Sequence, residues 1–236
     1  ARRRNRAWLD ALAPSPDPAR PEDKGQRAML RIWGRANSSN VMKVLWLCEE
    51  LGQPFERIDA GGAFGRTRDP DYLAKNPNAL VPTLEEPDGF TLWESNTILR
   101  YLARSRAGGA AFYPAAPRAA ADVERWMDWQ TASLNAPMTT VFFTYVRTPE
   151  PERDWPATEK ARVAAEHLWA MVDARLQGQD FICGAAPTLA DIALGPYLHR
   201  WLSLPIARAP MPALQAWYAR LLERPGYAKH CAGPMS

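Results

Sequence analysis

The chain has 236 residues, and 47% of them are hydrophobic, which is enough to bury the core of one large domain or of two small ones. The first 28 residues hold seven basic and four acidic side chains and account for the net charge of +3, because residues 29–236 are balanced at 22 against 22. A neutral body without a basic stripe argues against nucleic acid as a partner. No run of about 18 apolar residues occurs, so no membrane-spanning helix is predicted.

The three cysteines, Cys48, Cys183 and Cys231, are odd in number and far apart in the sequence. They form no CxxC pair and no cluster with histidine, so neither a disulfide framework nor a metal site is predicted. This cysteine usage is typical of a reducing compartment, and we expect a cytoplasmic protein without a bound metal.

The first 28 residues are rich in Arg and Pro and show little periodicity. Their apolar stretch at residues 7–13 is short and is interrupted by Asp10, so no secretory signal is predicted. We interpret residues 1–28 as a disordered extension, either an upstream start or a segment added to the natural chain. The folded unit is expected to begin near Met29.

From Met29 onward, the patterns of strands and helices alternate. Patterns typical of strands occur at residues 30–33, 55–59, 82–85 and 90–93, and patterns typical of helices at residues 40–51, at residues 70–75 and from Ser95. The initial β–α–β order implies a right-handed parallel crossover, and Pro87-Asp88-Gly89 predicts a hairpin turn between the last two strands. We therefore predict a small sheet with helices on both faces, in a domain of residues 29–106.

Residues 107–118 contain two Gly and two Pro and are interpreted as a linker. Beyond the linker no strand pattern occurs, and helices are predicted at residues 119–134, 137–147, 157–176, 189–204 and 212–223. Thr188 followed by Asp191 predicts a capping box at the start of the fourth of these helices. The second domain, residues 119–236, is therefore predicted to be all-helical, and the fold class is α/β followed by all-α.

The helix predicted at residues 40–51 has polar residues crowded at its start. Its apolar positions recur at spacings of three and four and predict one face turned toward a core, namely Val41, Val44, Leu45, Cys48 and Leu51. Asn37, Ser38, Ser39 and Asn40 precede that face and are residue types that cap helices. Because a helix start offers unpaired backbone N–H groups and partial positive charge, the same residues can either cap the helix or bind an anion.

Four motifs follow one another along the chain: residues 35–44 (RANSSNVMKV), residues 76–82 (NPNALVP), residues 92–98 (LWESNTI), and Thr188 with Asp191. Together with the order of elements, they resemble the cytosolic glutathione transferases, nearest to bacterial members of theta-like or nu-like classes with a Ser/Asn site. The resemblance implies a thioredoxin-like βαβ–ββα domain followed by a helical domain. It also implies glutathione as co-substrate, a homodimer and a role in detoxification.

The resemblance assigns two parts of a glutathione site. Its VP motif implies a cis Val81–Pro82 peptide, with the N–H and C=O of Val81 pairing with the cysteinyl backbone of glutathione. Glu94 and Ser95 are implied to hold the γ-glutamyl end, because Ser95 and the helix start accept its carboxylate while Glu94 takes its ammonium group. Leu80, next to this turn, completes the predicted glutathione-binding residues.

Leu80 is also a departure from the family pattern. Many members have Lys or Gln at this position, where it helps to hold the glycyl carboxylate of glutathione. A base from the loop at residues 61–68, such as Arg66 or Arg68, would have to compensate for its loss. Asn78-Ala79 also replaces the more common x-Gly.

The chemistry that the resemblance implies is formation of the glutathione thiolate. A free thiol has a pKa of about 8.5, and lowering it by about two units requires about 2.7 kcal/mol of preferential stabilisation of the anion. One hydrogen bond to a charged group supplies about 1.5–3 kcal/mol, so one hydroxyl or amide at the first helix is sufficient. We favour Ser38 assisted by Asn40, with Ser39 as the alternative. The lack of a cysteine here argues against the mixed-disulfide types, and Cys48 is interpreted as packing.

The electrophile is expected between the two domains, where aromatic residues are frequent. We assign Trp126, Trp129, Phe142 and Tyr145 to its pocket, with Phe143 in the same stretch, although an aromatic stripe is as often core. The predicted function is conjugation of glutathione to small apolar electrophiles. The alternatives are glutathione-dependent disulfide reduction of the nu type, suggested by Ser38 with Asn40, and a non-catalytic binding protein, suggested by Leu80.

Overall fold

The computed structural model describes residues 29–235, so the predicted extension at residues 1–28 lies outside the described residues. Four strands form one sheet in the order β2-β1-β3-β4, with β1 at Leu30–Trp33, β2 at Phe55–Ile58, β3 at Thr83–Glu85 and β4 at Thr91–Trp93. The pair β1–β2 is parallel, whereas β1–β3 and β3–β4 are antiparallel. The predicted strands, the parallel first pair and the closing hairpin are confirmed.

Nine α-helices lie within residues 29–235. They are α1 (Ser39–Glu50), α2 (Pro70–Leu73), α3 (Ser95–Ser105), α4 (Pro117–Trp129), α5 (Asn135–Val146), α6 (Trp155–Leu176), α7 (Leu189–Ser203), α8 (Pro212–Leu222) and α9 (Pro225–Cys231). Because all described residues after β4 that form regular elements are helical, the predicted fold class is confirmed.

The helix α1 is buried on more than one face. Its buried residues include the predicted Val41, Val44, Leu45 and Cys48, but also Ser39, Lys43, Trp46 and Leu47. The helix packs against β1, α3, α7 and α9, so that neighbours surround it. The prediction of a single apolar face was therefore too narrow, since it did not include the partners that arrive from the second half of the chain.

Two features of the helical half differ from the prediction. A π-helical segment, Gln130–Leu134, joins α4 to α5, so residues 117–146 form one helical run instead of two separate helices. Pro137, at which the second of these helices was predicted to begin, lies inside this run, three residues beyond the π-helical segment. The helix α9 was not predicted; its Tyr227 contacts Trp46 edge-on, with 4.9 Å between the ring centres.

The helix α7 begins with the predicted capping box and is buried from Leu189 through Trp201. The Asp191 carboxylate accepts hydrogen bonds from the Thr188 backbone N–H at 2.8 Å, the Ile182 backbone N–H at 3.0 Å and the Trp217 indole N–H at 3.1 Å. Burial raises the pKa of Asp191 to about 6 despite these donors. The box therefore ties α7 to α8 and to the loop before it, which fixes where the rest of α7 meets α1.

Across residues 29–235, the longest and most apolar helices still fall short of what crossing a bilayer requires. The same part of the chain contains no group of three or more His, Cys, Asp or Glu side chains that could hold a metal ion.

Candidate functional site

The start of α1 presents two serines of different environment. Ser38 precedes the helix in an extended conformation, and its carbonyl oxygen accepts the first helical hydrogen bond from the Met42 N–H at 2.8 Å. Its hydroxyl makes no hydrogen bond to another described residue, whereas the Ser39 hydroxyl oxygen accepts one from Arg200 Nη1 at 3.2 Å. Both serines are about nine-tenths buried. Both hydroxyls therefore keep a proton to donate, but the hydrogen bond from Arg200 fixes the Ser39 hydroxyl toward α7.

Asn40 connects the start of α1 to the start of α3. Its side-chain oxygen Oδ1 accepts a hydrogen bond from Ser95 Oγ at 3.3 Å. Tyr197 OH lies 3.4 Å from the same oxygen but only 2.7 Å from Asn135 Oδ1, which is the better acceptor for its single proton. With its oxygen engaged by Ser95, Asn40 keeps its amide N–H groups as donors beside the start of α1.

The turn before β3 has the predicted cis peptide between Val81 and Pro82. Tyr72 OH and Asn76 Nδ2 hold this turn by donating to the Leu80 carbonyl oxygen at 2.6 and 3.0 Å. Neither the N–H nor the C=O of Val81 has a hydrogen-bond partner among residues 29–235. An unpaired donor and acceptor on one residue offer an extended peptide the pairing that a neighbouring strand would supply.

Leu80 is 64% exposed, so its side chain contributes to the surface and not to the core. In the neighbouring loop, the Arg66 guanidinium lies 5.1 Å from the centre of the Trp33 ring, and Arg68 is exposed. Arg66 thus has a fixed aromatic neighbour near the sheet, which makes it the better defined of the two candidate bases.

Glu94 and Ser95 form the entry into α3. Glu94 is exposed and has a φ of 70°, a left-handed conformation that side chains other than glycine rarely adopt. Ser95 is the first residue of α3 and is 8% exposed. Ser95 lies next to Asn40, so the starts of α1 and α3 face each other across one hydrogen bond.

Lys43 is a fully buried cation behind this pair of helix starts. Its Nζ donates to Gln130 Oε1 at 2.6 Å, to Asn96 Oδ1 at 3.4 Å and to Ser95 Oγ at 3.5 Å. None of the described carboxylates lies within 4.0 Å of it, and burial lowers its pKa to about 7 although the Glu94 charge opposes the change. The site therefore has a lysine that can exchange its proton near neutral pH.

The predicted aromatic residues lie in three places. Trp126 and Trp129 of α4 contact each other edge-on at 5.3 Å, and Tyr145 contacts Trp155 of α6 at 5.4 Å. Phe142 is buried and lies beneath the Arg200 guanidinium, 3.8 Å from its ring centre. Because Arg200 also binds Ser39, Phe142 is the one of the four with a direct link to the start of α1 in the described chain.

The sequence prediction missed Lys43, Gln130, Tyr197 and Arg200. For Lys43 a signal existed, since it is the one charged residue in the otherwise apolar run VMKVLWLC. No comparable signal marks Arg200, which ends a buried helix like an ordinary basic residue in a last turn. Cys48 packs inside the core, and burial raises the pKa of its thiol to about 12, so it is no nucleophile at neutral pH.

Comparison with known proteins shows the family to which the chain is similar. Residues 28–104 match the family model of the glutathione S-transferase N-terminal domain, and residues 134–225 match that of the glutathione S-transferase C-terminal domain. The glutathione S-transferase GstB of Escherichia coli (strain K12) is 39% identical over 209 residues, which cover 88% of this chain and all of the relative.

Solved structures agree with this comparison. The theta class glutathione S-transferase from Xanthomonas axonopodis pv. citri with glutathione bound is 44% identical, with a TM-score of 0.85 over 89% of this chain and all of that one. A glutathione S-transferase from Pseudomonas fluorescens is 29% identical, with a TM-score of 0.76 over 88% of this chain and 99% of that one. The chain belongs to the glutathione S-transferase family and is an enzyme of that family.

Proposed function

We propose that the enzyme joins the thiolate of glutathione to small, largely apolar electrophiles. The observation that carries this proposal is the convergence of the starts of α1 and α3, linked by the Ser95–Asn40 hydrogen bond, next to the unpaired backbone of Val81. Each of the two helix starts can hold its own anion. The proposal assigns the γ-glutamyl carboxylate to Ser95 and α3, and the thiolate to α1.

In this arrangement Ser38 and Asn40 stabilise the thiolate together. Ser38 contributes a hydroxyl without a described partner, and Asn40 contributes an amide N–H whose direction is set by the bond from Ser95 to its oxygen. Each hydrogen bond to a charged sulfur is worth about 1.5–3 kcal/mol. Together, the two bonds supply more free energy than is needed to lower the thiol pKa by about two units. The thiol proton leaves to solvent, and the sulfur attacks the electrophilic carbon while the leaving group departs.

The other predicted site residues have the following roles in this proposal. Leu80, Val81 and Pro82 line the cysteinyl part of glutathione, and Glu94 faces its ammonium group. Phe142 supports the electrophile side from beneath Arg200, whereas Trp126, Trp129 and Tyr145 contribute there only if the substrate reaches further along the helices. We also propose a cytoplasmic homodimer that acts in detoxification, to be tested by light scattering and by fractionation of cells.

The test of the thiolate site is an ultraviolet titration of the thiol in the glutathione complex. Wild type is expected to show a depressed thiol pKa, and Ser38→Ala and Asn40→Ala are each expected to raise it by about one to two pH units, the value of one hydrogen bond. Ser39→Ala should change it less, because the hydrogen bond from Arg200 holds the Ser39 hydroxyl toward α7. Ser105→Ala, an exposed serine at the end of α3, is the matched control.

An unchanged thiol pKa in both Ser38→Ala and Asn40→Ala would exclude these residues. Failure to retain glutathione at millimolar concentration would instead support a non-catalytic binding protein.

Glutathione-dependent disulfide reduction is the second candidate, favoured by the orientation of the Asn40 amide beside Ser38. Here the thiolate attacks a disulfide sulfur and releases one thiolate, and a second glutathione resolves the mixed disulfide to give oxidised glutathione. Fast turnover of a model disulfide together with slow conjugation of an aryl halide would favour this reaction over conjugation.

A further inference from the structure

Arg200 is a buried guanidinium beside the start of α1. Its Nη1 donates to Ser39 Oγ at 3.2 Å, its Nη2 donates to the Asn37 carbonyl oxygen at 2.8 Å, and its central carbon lies 3.8 Å from the centre of the Phe142 ring. Burial lowers its pKa to about 10, with the positive charges of Arg147 and Arg35 acting in the same direction. Arg200 thus remains charged at neutral pH, although it is only 9% exposed.

Two further guanidiniums act on the same region. Arg35 follows β1 and lies along the glycines of the next loop, where a Cβ on Gly62 would be 3.2 Å from Arg35 Cδ. Arg147 ends α5 and lies 5.4 Å from the centre of the Phe142 ring. Burial and the charge of Arg147 together lower the pKa of Arg35. The three cations therefore repel one another in the region between α1, α5 and α7.

No described carboxylate lies within 4.0 Å of the guanidinium of Arg35 or Arg200, in contrast to other arginines of the same part of the chain. Arg224, for example, pairs with Glu50 at 2.6 Å, and Arg162 pairs with Glu166 at 2.9 Å. In addition, the Arg35 Nε is buried without a hydrogen-bond partner among residues 29–235. Since a buried cation is costly without a counter-charge, this region favours an anion supplied by a ligand.

The ring pair Phe142 and Phe143 sets the second property of that ligand. The ring supports the Arg200 guanidinium on one side of the region and continues into Phe143, which is 43% exposed and 6.1 Å away between ring centres. Because Phe142 is 1% exposed, a flat apolar part of a ligand can contact only the Phe143 ring of this pair, while its anionic group reaches the guanidiniums of Arg35 and Arg200.

We propose that the second substrate is an electrophile that carries a carboxylate, or another small anion, held by Arg35 and Arg200, with its apolar part against Phe143. This inference rests on the proposed conjugation function and narrows its substrate class. In the reaction, the glutathione sulfur forms a bond to the electrophilic carbon, the leaving group departs with its electron pair, and the thiol proton goes to solvent. The anionic group is unchanged and serves only for binding.

The test compares two aryl halides that differ in charge, 4-chloro-3-nitrobenzoate and 4-chloro-3-nitrobenzamide. In both, chloride is displaced by the glutathione sulfur. For each compound, kcat/KM is divided by the rate constant of its uncatalysed reaction with glutathione, which removes the difference in intrinsic reactivity. Wild type is expected to prefer the benzoate by about tenfold or more, as one hydrogen bond between charged groups provides.

Arg35→Gln and Arg200→Gln should each reduce this preference about tenfold. The control is Arg220→Gln on α8, where the Arg220 guanidinium binds the Asp180 carbonyl oxygen at 2.8 Å. This variant should keep the preference for the benzoate. If Arg200→Gln does not fold, Arg35→Gln decides the question, because Arg35 belongs to a loop and not to the packed core.

Equal rate enhancements for the two compounds in wild type would overturn the inference while the conjugation function stands. An effect of Arg35→Gln confined to the KM of glutathione would also overturn it, because Arg35 would then hold a carboxylate of glutathione itself. If S-methylglutathione binds but neither compound reacts, the conjugation function fails and the inference fails with it.

Discussion

Lys43 and Arg200 are both buried cations next to the start of α1, but their surroundings differ. Lys43 belongs to α1 and is held by neutral oxygens of Gln130, Asn96 and Ser95, on the side proposed for the γ-glutamyl group. Arg200 reaches α1 from α7 and is held by a hydroxyl, a backbone carbonyl and an aromatic ring, on the side proposed for the electrophile.

The difference between the two regions lies in how each cation responds to burial. Burial lowers the pKa of Lys43 to about 7 and that of Arg200 to about 10. At neutral pH the first region can therefore gain or lose a positive charge, while the second keeps its charge. Neither has a described carboxylate within 4.0 Å, so in both regions a bound anion is the natural counter-charge.

The largest expected effect is on stability, from removal of Arg200. Arg200→Ala leaves the Ser39 oxygen and the Asn37 carbonyl without this donor and opens space beside Phe142, so we expect the free energy of unfolding to fall by about 3 kcal/mol. Urea denaturation measures it. Arg208→Ala, which removes an arginine that binds one carbonyl near Trp201, should cost only about 1 kcal/mol. Equal losses would show that Arg200 has no special structural role.

A somewhat smaller effect is expected from Lys43, and it depends on pH. In the unfolded chain Lys43 keeps its proton up to about pH 10.5, whereas in the native state it loses the proton above about pH 7. Stability from this group is thus present at high pH and is lost as pH falls from about 10.5 to about 7. From pH 7.5 to 9.5, wild type should gain about 2–3 kcal/mol relative to Lys43→Met in urea denaturation.

The control for Lys43 is Lys75→Met, since Lys75 is a partly exposed lysine paired with Glu85 at 3.0 Å. Its stability difference from wild type should change little over the same pH range. If the curves of wild type and Lys43→Met run parallel, Lys43 keeps its proton in the native state and the contrast with Arg200 disappears.

A further prediction separates the two regions by ligand. Ser95→Ala should weaken binding of S-methylglutathione about tenfold, through loss of one hydrogen bond to a carboxylate. It should leave the preference for the anionic over the neutral aryl halide unchanged, because that preference belongs to the Arg200 region. Calorimetric binding constants and the two rate ratios test this, with Ser203→Ala as control. A changed ratio in Ser95→Ala would show that the two regions act as one.

The smallest expected effect is proton uptake on binding. A γ-glutamyl carboxylate near Ser95 would raise the pKa of Lys43, which is faced by Glu94 from α3 and by Tyr197 from α7. At pH 7.5, binding of S-methylglutathione should therefore take up a fraction of one proton, measurable by calorimetry in buffers of different ionisation enthalpy. S-methylglutathione has no thiol to titrate. Uptake that persists in Lys43→Met would assign the proton to another group.

Much of the fold was predictable because the signals are local. The strands, the hairpin turn at Pro87-Asp88-Gly89 and the box of Thr188 and Asp191 depend on residues a few positions apart. The cis peptide at Val81–Pro82 came with a sequence motif of the family. The prediction failed at α9 and at the π-helical join before α5, which pack against α1 and α6, elements that lie further away in the sequence.

The sequence by itself determined the order of the elements, the family and the set of polar residues at the start of α1, since periodicity and short motifs encode these. Only the tertiary structure decided that the Ser38 hydroxyl has no described hydrogen-bond partner, whereas the Ser39 oxygen accepts a hydrogen bond from Arg200. Ser39 meets Arg200 from 161 positions away, and Lys43 meets Gln130 from 87 positions away. No spacing rule reaches across such separations, because contacts between distant segments exist only once the helices have packed around α1.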